Sequence, residues 1–105
     1  MFYTQGNDIY ITRGDTATFT VNLTNNGQAY DYSNDNLVLT VRRNVHDPEV
    51  LIQKTIVYGE NAALEPEDTQ NMLGVYWYDI QLTTAGGTID TVIPPSKFIV
   101  MADVT

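Results

Sequence analysis

The chain has 105 residues, 43% hydrophobic and 10% aromatic, which is enough apolar material for one core and too much for a disordered chain. Thirteen acidic residues against five basic ones give a formal charge of −8, which repels phosphate backbones and anionic membrane surfaces, so neither nucleic acid nor membrane is expected as a partner. Cysteine is absent, which excludes disulfides and thiolate zinc sites and is compatible with synthesis in a reducing cytosol.

This length predicts a single domain over residues 1–105, burying somewhat more than about 60% of the surface of its unfolded chain. The start, MFYTQGND, lacks the basic end and apolar run of a signal peptide, and no apolar run approaches the roughly 18 residues of a membrane span. That leaves the compartment open, and release by cell lysis is compatible with it.

In chain order, the β-branched and aromatic runs DIYIT (8–12), TATFTVNL (16–23), LVLTVRR (37–43), LIQKTIVY (51–58), VYWYDIQLT (75–83), TIDTVI (88–93) and KFIVMADV (97–104) read as strands. RGD, NNG, DYSNDN, NVHDPE and TAGG supply turns between them. In the second run Ala17, Phe19, Val21 and Leu23 alternate with Thr16, Thr18, Thr20 and Asn22, so one face is core and the other wet. Asn26-Gly27 supplies the positive φ angles of a tight hairpin.

Only PEDTQNM (66–72) reads as helical, for one or two turns, with Pro66 in the first turn and Glu67 and Asp68 near the amino end. Pro94-Pro95 cannot donate ladder hydrogen bonds, so a bulge or a change of sheet is expected between 88–93 and 97–104. In GVYWYDIQL (74–82) a period of two sends Tyr76, Tyr78, Ile80 and Leu82 inward and Val75, Trp77, Asp79 and Gln81 outward. The sole tryptophan therefore lands outside, beside Asp79, Gln81 and a neighbouring strand's Arg42, in a patch suited to a protein partner or a sugar. The competing expectation is that Phe2-Tyr3 folds over Trp77 and makes a minor core.

The remaining motifs carry little chemistry. Arg13-Gly14-Asp15 matches an adhesive tripeptide but also makes a good tight turn. The oxygens of DYSNDN (31–36) suit Ca²⁺, but an EF-hand's glycine and bidentate glutamate are missing, and Asx turns account for them. Glu65, Glu67 and Asp68 cluster on a proline-containing connection with no apolar pocket implied, and His46 is the only histidine, which leaves no multi-histidine metal site. With no nucleophile elbow or phosphate loop either, no catalytic residue, metal or cofactor is expected. Asn22-Leu23-Thr24 fits the glycosylation pattern but, with no signal segment, reads as a strand end.

Leu73, Gly74, Tyr76 and Tyr78 resemble the corner before strand F of immunoglobulin-like sandwiches. That resemblance implies a Tyr76 phenol bonded back to upstream backbone, with Tyr78 where antibody domains hold their second cysteine. More widely, IYITRGDTATFTVNL, YDYSNDNLVLTVRR, LIQKT, EDTQNMLGVYWYDIQL and TVIPPSKFIVMADVT resemble small immunoglobulin-like proteins of phages and prophages of Gram-positive bacteria, in particular the amino-terminal domain of baseplate upper proteins. The chain departs from that pattern at Pro94-Pro95, where a shorter glycine turn is expected. The resemblance implies an all-β, antiparallel immunoglobulin-like sandwich of seven to nine strands, with Tyr76, Tyr78, Gly74 and Phe19 as structural residues. It implies a virion component, of tail or baseplate, whose partners are other subunits or copies of itself. The alternative is a carbohydrate-binding or adhesion module using Trp77, Tyr76 or other exposed tyrosines as stacking platforms.

Overall fold

The computed structural model describes residues 1–103. The described residues form ten strands and one helical turn: β1 (Phe2–Gln5), β2 (Asp8–Thr12), β3 (Ala17–Phe19), β4 (Thr24–Asn25), β5 (Gln28–Ala29), β6 (Asn36–Arg42), β7 (Ile52–Ile56), β8 (Ala62–Leu64), α1 (Pro66–Thr69), β9 (Gly74–Thr83) and β10 (Ile89–Met101). The fold is all-β. Six strands form one sheet in the order β1-β2-β10-β9-β6-β7, while β3-β8 and β4-β5 form two small pairs. Every pairing is antiparallel except that of β2 with β10, which runs parallel. Ten strands exceed the expected seven to nine because β1, β8 and the two-residue strands of the β4-β5 hairpin add to those legible in the sequence, while the last two runs join as β10.

Alternation explains the layers. On β9 Tyr76, Tyr78, Ile80 and Leu82 are buried, and they meet Leu37, Leu39 and Val41 of β6 and Ile9, Ile11, Phe98 and Val100 of β2 and β10. Ala17, Ala62 and Leu64 of the β3-β8 pair close the same core from the other side. Phe19, Val21 and Leu23 keep their inward parity but are only half-buried, because the second layer is short.

The prolines do not divide the last strand. β10 runs through Pro94-Pro95 with register shifts between Thr91 and Ile93 and between Ile93 and Ser96, so bulges take up the residues that cannot donate. Helix α1 stops at Thr69, and the Asp68 carboxylate accepts the Glu65 N–H at 2.7 Å, closing its amino end. No helix among the described residues is long and apolar enough to cross a membrane.

Candidate interaction face

Residue 74 leads into β9 at φ +101°, a left-handed conformation that glycine adopts without strain. Two residues on, the buried Tyr76 phenol accepts the Leu73 N–H at 3.1 Å, and the Arg43 guanidinium lies 4.9 Å above its ring. The buried Tyr78 meets Phe98 edge-on at 6.4 Å and donates its hydroxyl to the Asn7 carbonyl. Burial, with the Asp8 charge as a lesser cause, pushes the Tyr78 phenol up to about 12. Tyr76 is therefore an inward structural residue and is unavailable as a stacking platform.

These two inward tyrosines fix the register that turns Trp77 out. Trp77 sits between Arg42 of β6 and Lys97 of β10 in a row running across three strands. Thr40 stands opposite Asp79 and Val38 opposite Gln81 in the next rows, so Arg42, Trp77, Asp79 and Gln81 share one face. The indole is half-buried, in a shallow hollow with Thr40, Arg42, Val45 and Pro95 around it.

The terminal segment does not form a minor core over Trp77. Phe2 points inward and stacks on Phe19 at 5.6 Å, while Tyr3 stacks on Tyr10 at 4.5 Å with the rings 7° from parallel. Tyr3 and Tyr10 nonetheless join the outer face. Cross-strand registers place Tyr3, Tyr10, Ile99 and Val75 in one row over β1, β2, β10 and β9, next to the Arg42-Trp77-Lys97 row. Val75 is 50% and Tyr3 43% exposed. Sequence reasoning missed this extension, although Gly6-Asn7 between alternating residues is a two-residue hairpin signal that sets Tyr3 opposite Tyr10.

The cations are distributed unevenly. Arg13 bonds Asp103 at 2.7 Å, Lys54 bonds Asp68 at 2.9 Å, and Arg43 covers Tyr76. Arg42 and Lys97, the two that flank Trp77, make no ion pair with the described residues. The face thus offers aromatic rings, aliphatic side chains and cationic donors on one side of the sheet, a mixture typical of protein contacts.

The other sequence candidates are occupied within the chain. The Gly14 N–H donates to Thr69 Oγ1 at 2.9 Å, and the Arg13 guanidinium holds the Asp103 carboxyl below its ordinary range. Asp31 accepts the Ser33 N–H at 2.9 Å in an Asx turn, the Ser33 side chain first and this N–H second hold its carboxyl below the ordinary range, and Asp35 accepts the Ala85 N–H at 3.1 Å. No group of three or more His, Asp or Glu side chains among the described residues is arranged to hold a metal. Asp68 is engaged by Lys54 and the Glu65 N–H, and His46 is exposed in the loop after β6. Comparison with known proteins finds no matching protein family, curated protein or solved structure.

Proposed function

We propose that the chain is a non-enzymatic structural and assembly protein of a phage or prophage particle, belonging to the tail or baseplate and made in the bacterial cytoplasm. It works by presenting sheet faces to other subunits, with itself among the possible partners. The observation that carries the reading is the outer face around Trp77, where two cations with no ion pair among the described residues flank the only tryptophan beside an aromatic and aliphatic row. The resembling stretches supply the virion context, since they span most of the strands of the large sheet. In a symmetric particle, contacts that are weak singly add over many copies, so a monomer or small oligomer is expected in dilute solution. Mass spectrometry of purified particles tests this: the polypeptide should be present, and its consistent absence would contradict the reading.

The second reading, a carbohydrate platform, is favoured by the half-buried Trp77 sharing a sheet face with the stacked Tyr3-Tyr10 pair. Tryptophan fluorescence titrated with host-wall sugars decides it. A saturable change would support it, and silence would remove it.

A further inference from the structure

The second layer is the thin part of the molecule, since β3 and β8 contribute three residues each against a six-stranded sheet. Past Phe19 the side chains keep alternating, Val21 and Leu23 half-buried and Thr20 and Asn22 exposed. Yet the backbone of Thr20, Val21 and Asn22 makes no hydrogen bond to the described residues; pairing resumes only at Leu23, whose carbonyl accepts the Tyr30 N–H at 2.9 Å. This is strand-like chain without a ladder partner, tied to the segment before β8 only through the Thr20 hydroxyl, which donates to Asn61 Oδ1 at 3.0 Å.

Beside it, on the flank of β3 away from β8, lies a cleft of about 350 Å³ between the two layers. Phe2, Ile9, Val21, Ile80, Val92 and Ile93 give it apolar walls, and none of its lining residues is charged, although 17% of the chain is. Depletion of charge is what distinguishes the centre of a protein contact from ordinary surface. The devices that blunt open sheet edges are missing too, because residues 17–23 contain no lysine and no proline. Unpaired backbone beside an uncharged apolar slot matches recognition by strand addition, in which main-chain bonds supply affinity and alternate side chains fill pockets.

We propose that this slot receives an extended segment of a partner polypeptide, uncharged and apolar at alternate positions, which pairs with Thr20–Asn22 and completes the second layer. At about 3.3 Å per residue, the stretch from Phe19 to Leu23 accommodates roughly five residues. The proposal stands apart from the Trp77 face, which lies on the far side of the large sheet.

The test uses the full chain and an acetylated, amidated heptapeptide of alternating threonine and valine, followed by amide hydrogen exchange resolved by NMR. Saturating peptide should slow exchange at one or more of Thr20, Val21 and Asn22 by about tenfold or more. The same peptide with lysine at the valine positions should not. Val21→Lys, which puts a charge in the slot, should abolish the protection; if that variant does not fold, Asn22→Pro removes an exposed N–H and should do the same. Protection at the β1 or β7 edge only, or none at residues 20–22, would overturn the proposal. Concentration-dependent protection of those residues without peptide would assign the slot to a second copy and overturn it equally.

Discussion

Tyr76 and Tyr78 stand two positions apart on β9, point the same way, and are held differently. Tyr76 accepts a bond from its own corner, whereas Tyr78 crosses the core and donates to the β1-β2 turn. Because Tyr78 is neutral when protonated and its folded value is raised to about 12, it contributes fully below pH 10 and loses that contribution as pH rises toward 12. Tyr78→Phe should therefore cost about 1 kcal/mol at neutral pH, for the lost hydrogen bond, and should flatten part of the alkaline fall in stability. Urea unfolding at pH 7 and between pH 10 and 12 checks both parts. Tyr78→Ala should cost about 3–5 kcal/mol, as large-to-small changes in a core do. Trp77→Ala should cost less than Tyr78→Ala, about 1–2 kcal/mol, since the half-buried ring loses covered area on the outer face but leaves no cavity in the core. As the only tryptophan, it reports its own exposure through fluorescence quenching.

At the scale of elements, strands with clean alternation were legible. DIYIT became β2, and LVLTVRR, LIQKTIVY and VYWYDIQLT hold β6, β7 and β9, the last with Tyr76, Tyr78, Ile80 and Leu82 inward as its period of two requires. β8 was not legible, because Ala62-Ala63-Leu64 is too short and too poor in β-branched residues to announce a strand, and only its pairing with β3 makes it one. β1 hid behind a turn of two residues. TATFTVNL shows the converse: its pattern is that of an eight-residue strand, but only Ala17–Phe19 finds a ladder partner, since pattern fixes the face and not the presence of a neighbour. For the candidate site, period two placed Arg42, Trp77, Asp79 and Gln81 on one face, while Tyr3, Tyr10, Lys97 and Ile99 needed the register of three further strands. The tie between elements least visible in sequence is Thr69, fully buried at the end of α1, which accepts the Gly14 N–H of the turn before β3. Thr69→Val should strand that donor and cost about 1–3 kcal/mol, and Gly14 should show faster amide exchange than in the parent.

The whole molecule is elongated, 46 × 27 × 22 Å, with one broad sheet and a short second layer. A broad outer face with few charges, carried by a strongly acidic chain, suits contact with a fixed neighbour better than capture of anionic polymers. The proposed assembly role falls to the outside of the sheet, and the buried tyrosines lie behind it. The most direct measurement is the copy number per purified particle, by quantitative mass spectrometry, of the parent chain and of Trp77→Ala produced side by side. The parent should be incorporated in a fixed ratio to the other subunits, and the variant, equally well folded, should be depleted severalfold. Absence of the parent from particles, or equal incorporation of the variant, would contradict the account.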